Sequence, residues 1–323
     1  MKIGMIGAGG IAIKLADTIR EMEGFENYAI ASRTLEKAEA FKQTHAFMKA
    51  YGSYEELCQD PAVDLVYIAT PHSEHLKNME LCLKYHKPVL CEKAFTGNAK
   101  QAKDILARFE AAHLFVTEAM WTRYLPSRKI LNDLLASGVI GKPYLVDANL
   151  CYPNKAHVRL NDPSLCGGAL LDMGIYPLTF GLMVYEELPS QIYAQCKKSE
   201  TGVDEATVGI LTFREGQQAI AFTSMLGPAD RNGHIYGDQG YIEVINCNNP
   251  ERIDVYNANH ELIRSLGVPS QISGYEYEIL ECARCLKEGL IESPVIPHKT
   301  TIDVMSIMDR MRQQMGIIYP FER

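Results

Sequence analysis

Three observations predict an α/β fold in two domains. The first third of the chain alternates short, β-rich apolar runs with amphipathic segments, as crossover units on a parallel sheet do. A glycine-rich turn, GAGGIA, follows the first of those runs directly. After Trp121 the rhythm changes to longer runs with period-two alternation, separated by turn signals such as EGQ and GDQG, the pattern of a mostly antiparallel sheet. A chain of 323 residues also exceeds what one hydrophobic core usually serves. The expected architecture is a doubly wound parallel sheet over residues 1–120 and an α+β domain with a large open, mostly antiparallel sheet over 121–323.

Taken in order, KIGMIG is the first strand, and Ile11 to Met22 the helix after it, closed by Gly24. NYAIAS, VDLVYIAT, KPVLCE and LFVTEA continue the sheet, with helices expected over Leu35 to Thr44, Ser53 to Cys58, Glu74 to Tyr85 and Asn98 to Ala112. A helix from Ser127 to Ser137 leads into GKPYLVDANL, and an apolar helix is expected over Ala169 to Val184. The antiparallel strands are SQIYAQCKK, ATVGILTFR, QAIAFTSML, RNGHIYG, GYIEVIN and RIDVYNA. EYEILECARCLKEGL has helical periodicity, and a last helix carries Ile302, Met305, Met308, Met311 and Met315, a spacing that suits core filling.

Composition narrows the function. The net charge of −8 has no basic cluster, which argues against a nucleic-acid or anionic-membrane surface and leaves small molecules and protein chains as partners. No window is expected to reach the roughly 18 apolar residues of a membrane span. The nine cysteines are scattered and no apolar signal segment precedes them, so they read as reduced thiols of a cytoplasmic protein. Cys282 and Cys285 fall on the apolar face of their helix and are expected to be buried.

GAGGIA carries a dinucleotide-binding expectation of the Rossmann type. Gly7 serves the tight turn, Gly9 the close approach of backbone to a pyrophosphate, and Ala12 the packing of helix on strand. Gly10, Ile11 and Ala12 begin the helix, whose free N–H groups and positive dipole end face the anion. At the end of the second strand an acid would bind a ribose 2′-hydroxyl, but Ser32 and Arg33 stand there. They offer a 2′-phosphate a hydroxyl and a charge-assisted partner, so NADP is preferred over NAD.

Ligands of an open parallel sheet bind outside the carboxyl ends of its strands, which places Glu92 and Lys93 to face a nicotinamide. Thr70, Pro71, His72 and His75 follow the third candidate strand and are expected at the rim of that pocket; two histidines without a third ligand do not make a zinc site. Trp121 and Arg123 stand at the domain junction, where with Tyr124 they could wall a pocket. In GGALLDMGIYPL, Asp172 and Tyr176 share one helical face, and Pro177 is expected to bend the helix. A phenol ordinarily loses its proton near pH 10, so acting as a base near pH 7 needs about 4 kcal/mol of stabilisation of the phenolate. One ammonium in a dry pocket supplies that scale, and Lys93 is the candidate both for this and for pairing with Asp172. Tyr152, His157 and Arg159 are candidates for shaping substrate specificity.

GAGGIA, ATPHSEH, CEKAF, TEAMWTRYLP, GGALLDMGIYPL and ESPVIP, in that order, resemble the Gfo/Idh/MocA oxidoreductase family across nearly the whole chain. ASR after the second strand, EAMWTR and GGALLDMGIY are similar to the subgroup of dimeric dihydrodiol dehydrogenases and NADP-dependent D-xylose 1-dehydrogenases. The resemblance implies that Lys93 and Tyr176 are the catalytic pair, that Asp172 stands at the family's acidic position, and that Ser32 and Arg33 hold the 2′-phosphate. It also implies a homodimer or dimer of dimers through the C-terminal sheet. The family's usual Glu-Lys-Pro is Glu-Lys-Ala here, with Ala94 in the proline position. The leading expectation is an NADP-dependent oxidoreductase moving hydride between the nicotinamide and a CH–OH of a sugar, cyclic polyol or dihydrodiol. The alternatives are a non-catalytic NAD(P)-sensing regulator on the same fold and a reductase of a non-sugar cyclic substrate.

Overall fold

The computed structural model describes residues 1–323, which divide into two compact units. Unit 1 holds Met1–Tyr124 and Gln271–Ile302; unit 2 holds Leu125–Ser270 and Asp303–Arg323. A continuous second domain from residue 121 was expected, yet the segment 271–302 returns to unit 1. Its helix buries Ile279, Cys282 and Cys285 completely in the same core as Ile3, Leu15, Tyr67 and Leu90. Apolar residues on one helical face specify that something is covered, not which sheet covers it.

Unit 1 runs β1 (Lys2–Ile6), α1 (Gly10–Arg20), β2 (Glu26–Ala31), α2 (Leu35–His45), β3 (Lys49–Tyr51), α3 (Tyr54–Gln59), β4 (Leu65–Ile68), α4 (His72–Lys84), β5 (Val89–Glu92), α5 (Ala99–Ala111) and β6 (Val116–Ala119). All neighbours in the order β3-β2-β1-β4-β5-β6 are parallel. Strands β4, β5 and β6 are buried throughout, which is why they read as continuous apolar runs. Strand β3 escaped the sequence reading because its three residues, Lys-Ala-Tyr, form no such run.

Unit 2 begins with α6 (Pro126–Ala136) and β7 (Pro143–Cys151) and continues to α7 (Ile175–Tyr185). Then come β8 (Gln191–Lys198), β9 (Asp204–Thr212), β10 (Gln218–Ser224), β11 (Gly233–Gly237), β12 (Gly240–Ile245), β13 (Arg252–Asn257) and β14 (Leu262–Gly267). After them lie α8 (Glu276–Glu288), which belongs to unit 1, and α9 (His298–Met315). The sheet order is β14-β13-β12-β11-β7-β10-β9-β8, with only β7 and β10 parallel. Strand β14 was not foreseen because its residues are mostly exposed and do not alternate. Met305, Met308, Met311 and Met315 of α9 are buried, as core filling requires.

The helix expected over 169–184 starts with a π-turn at Leu170–Gly174 before α7. Pro177 fits this form: lacking an N–H, it makes no bond back to the preceding turn, where the wider π-turn lies. This stretch also corrects the expectation that no window could span a membrane. Pro163–Tyr185 is long and apolar enough on length and composition, and the fold buries 89% of its apolar window.

Candidate active site

In unit 1, Gly7 follows β1 with φ +101°, and its N–H donates to the Ala31 carbonyl at 3.0 Å. A Cβ at Gly7 would lie 2.8 Å from the Ala69 carbonyl oxygen, so only glycine fits that turn. Gly9 and Gly10 differ, because a Cβ on either meets nothing within 4 Å. Their bareness leaves the start of α1 open, and no side chain caps that helix. Ala12 is wholly buried against the sheet. The open helix start, with Ile11 half-buried beside it, fits a pyrophosphate. Beyond β2, Ser32 is buried and Arg33 is exposed, a hydroxyl and a guanidinium at the carboxyl end of the neighbouring strand.

Beyond β4, Thr70 and Pro71 are half-buried, while His72 and His75 lie inside. His75 was expected at the rim of a cofactor pocket, but it is wholly buried. Its Nε2 lies 2.8 Å from the Thr70 carbonyl and its Nδ1 lies 2.9 Å from the Ala94 carbonyl. Burial pushes this imidazole down to about 4, against the upward pull of the facing carbonyls. The neutral ring has one N–H to donate, to one of these two carbonyls, and its burial between them places His75 between the β4–α4 turn and the segment after Lys93. Asn78 reinforces the same turn by donating to Thr70 Oγ1 at 3.0 Å.

Glu92 ends β5 and is buried, with the Tyr67 hydroxyl of β4 donating to its Oε1. Lys93 follows, joined to Ala94 by a cis peptide. On β6, Glu118 accepts from Phe95 N–H at 3.1 Å and from Thr301 Oγ1 at 2.9 Å. Trp121 is buried and stacks on Tyr275, with ring centroids 4.5 Å apart. Arg123 acts on Glu118 as a positive charge. Tyr67, Glu118 and Tyr275 escaped sequence reasoning because single residues on apolar strands or in a distant helix start carry no motif.

Burial pushes the Glu118 carboxyl up to about 7, with Thr301 and Phe95 pulling it down. A carboxyl whose folded value exceeds the unfolded one holds its proton longer in the native state. Its contribution is therefore complete below about pH 4.5 and is lost as pH rises through about 7. We expect this group alone to reduce stability by about 3 kcal/mol between those limits. Thermal unfolding of the wild type and Glu118→Gln from pH 5 to 8 checks it: the variant should have the shallower slope, and parallel curves would refute the assignment.

In unit 2, Gly167 and Gly168 precede the π-turn. A Cβ at Gly167 would lie 2.6 Å from the Leu160 carbonyl oxygen, and one at Gly168 would collide with Asp204 Oδ1. The buried Asp204 carboxylate accepts from Leu170 N–H at 2.7 Å and Thr207 Oγ1 at 2.6 Å, holding the helix start from strand β9. Tyr319 adds a bond from its hydroxyl to the Gly167 carbonyl at 3.2 Å. Asp172 pairs with Arg159, Nη2 to Oδ1 at 2.7 Å, a partner the sequence reading had not given it. Tyr176 is buried with 9% of its surface exposed, and His157 is exposed two residues before Arg159. Tyr152 lies under Arg231, whose guanidinium carbon is 5.8 Å from the ring centroid.

A parallel sheet in this order, an uncapped glycine turn at its first strand and a lysine at the end of its fifth define a dinucleotide-dependent oxidoreductase. The family described as "Oxidoreductase family, NAD-binding Rossmann fold" matches residues 1–120, and the "GFO/IDH/MocA C-terminal domain" matches 129–243. The chain belongs to the Gfo/Idh/MocA oxidoreductase family. It is 36% identical to a D-xylose 1-dehydrogenase (NADP(+)) of Hypocrea jecorina, over 99% of this chain and 93% of the relative. It is 33% identical to the human trans-1,2-dihydrobenzene-1,2-diol dehydrogenase, over 100% of this chain and 99% of the relative. A solved 3-ketoreductase from Actinomadura kijaniata, in complex with NADP and TDP-benzene, shares the fold with TM-score 0.89 at 22% identity, covering 98% of both chains.

Proposed function

We propose that this protein is an NADP-dependent dehydrogenase that moves hydride between the nicotinamide and a CH–OH of a sugar, cyclic polyol or dihydrodiol. The observation that carries this reading is one edge of the unit 1 sheet: the open glycine turn, the Ser32–Arg33 pair and Lys93 all follow carboxyl ends of its strands. The full-length relatives that act on xylose and on a dihydrobenzene diol support the substrate class.

Gly9, Gly10, Ile11 and Ala12 would hold the pyrophosphate on backbone N–H groups, and Ser32 and Arg33 the 2′-phosphate. When bound, NADP supplies the hydride acceptor or donor. Tyr176 Oη takes the proton from the substrate hydroxyl during oxidation and returns it during reduction, since an alcohol that keeps its proton releases hydride poorly. Lys93 would bind the reacting oxygen, its ammonium stabilising negative charge there. Asp172 fixes Arg159, whose side chain is 28% exposed and would be available to a sugar hydroxyl.

NADP reduction over a panel of aldoses, inositols and cyclic diols tests the reading; no turnover with any of them would leave a nucleotide-sensing regulator as the better account. Arg33→Gln is expected to weaken NADPH binding by about 10- to 100-fold while leaving NADH binding unchanged. Fluorescence titration with both cofactors checks this, and equal losses for the two would remove Arg33 from the 2′-phosphate site.

The open face of the unit 2 sheet exposes Tyr193 on β8, Val208 on β9 and Phe222 on β10, neighbouring strands whose large apolar groups suit association of two copies. Sedimentation equilibrium should give a dimer or tetramer for the wild type and a shift toward monomer for Phe222→Lys. A monomeric wild type would end that part of the proposal.

A further inference from the structure

Glu278 has no part in the mechanism above. It lies in the first turn of α8, is wholly buried, and neither carboxyl oxygen has a hydrogen-bond partner. Buried polar groups are nearly always paired, so this exception needs a physical reason. The titratable groups it interacts with come from several elements: Glu92 at the end of β5, Tyr67 of β4, Tyr124 beyond β6, and Cys282 one turn along α8. Glu118 stands as another carboxyl against Glu92. Burial, and then repulsion from Glu92, hold the Glu278 carboxyl well above the usual carboxylate range.

The wholly buried Tyr67 connects this cluster to the site, since its hydroxyl donates to Glu92 and Lys93 is the next residue. An extra negative charge at Glu278 would act through a dry, low-dielectric interior and offset the ammonium of Lys93.

We propose that Glu278 serves as a neutral carboxylic acid that keeps the negative charge behind Lys93 low, a positioning group that acts through Glu92 and Tyr67. The inference rests on the catalytic role proposed for Lys93. Loss of the Glu278 proton to solvent then adds a charge that offsets the Lys93 ammonium, and turnover falls on the alkaline side.

The test compares the full-length wild type with Glu278→Gln and Glu278→Met, following kcat/KM and thermal unfolding from pH 6 to 10. The amide reproduces the neutral acid, so Glu278→Gln should keep kcat within about twofold at pH 7 and carry its alkaline limb about one pH unit higher. The wild type must release a proton from this group on unfolding, whereas the variants have none to release. Their Tm should therefore gain on the wild type as pH rises. Coincident alkaline limbs, or a loss of about tenfold in Glu278→Gln at pH 7, would overturn the proposal. So would a Tm difference that does not grow with pH, with Glu278→Met giving that reading if the amide variant folds poorly. A wild type without dehydrogenase activity defeats the catalytic reading, and the Tm series still judges whether Glu278 is neutral.

Discussion

Lys93→Met is expected to lower kcat by about a thousandfold to ten-thousandfold while NADPH binding changes by less than about fivefold. Methionine keeps an unbranched chain of similar length and removes only the charge and its three donors. The nucleotide is held in this reading by the glycine turn and by Ser32 and Arg33, which lie beyond other strands of the same sheet. Binding and turnover should therefore separate. Lys93→Arg retains the charge in a broader, planar group, and is expected to recover only a small part of the loss. Steady-state kinetics with the best substrate of the panel, together with cofactor titration, measures both quantities. Unchanged turnover in Lys93→Met would remove the lysine from the mechanism.

Asp204→Ala should be the most damaging single change in unit 2. It removes the acceptor for Leu170 N–H and Thr207 Oγ1 inside the protein and leaves a void beneath the glycine turn. Stranding a buried donor and losing bonds to a carboxylate costs about 3 kcal/mol or more, equivalent to roughly 6 to 12 °C in Tm. Because Asp172 and Tyr176 lie on the helix so anchored, kcat should fall further than the affinity for NADPH, whose cradle is in unit 1. Asp204→Asn keeps an acceptor and should recover much of the stability. Calorimetry and kinetics on the two variants test this; an alanine variant as stable and active as the wild type would show that Asp204 anchors nothing.

Much of the fold was legible in the chain. Buried parallel strands such as VDLVYIAT and KPVLCE must be apolar on both faces, and their flanking helices must carry one apolar stripe. Both signals survive in one dimension. Strands β3 and β14 were not legible, because one is three residues long and the other is an exposed edge. The nucleotide turn was legible because its signature is local: Gly7 is required by the backbone path, and Gly9 and Ala12 follow at fixed short spacing. His75 was misplaced for the opposite reason: a histidine in a turn looks alike whether it faces a cofactor or two carbonyls.

The sequence by itself determined the alternation of elements, the glycine turn, the residues at the strand ends and the four-residue spacing of Asp172 and Tyr176 in one helical stretch. Each of these depends on neighbours a few positions away, through backbone sterics and helical or strand periodicity. Only the tertiary structure decided that the segment 271–302 returns to unit 1, that Arg159 pairs with Asp172, that Asp204 anchors Leu170 from 34 positions downstream, and that Glu278 is buried within electrostatic reach of Glu92. These partners meet because apolar burial brings distant segments together, and the energy of a buried charge then depends on whatever that packing places against it.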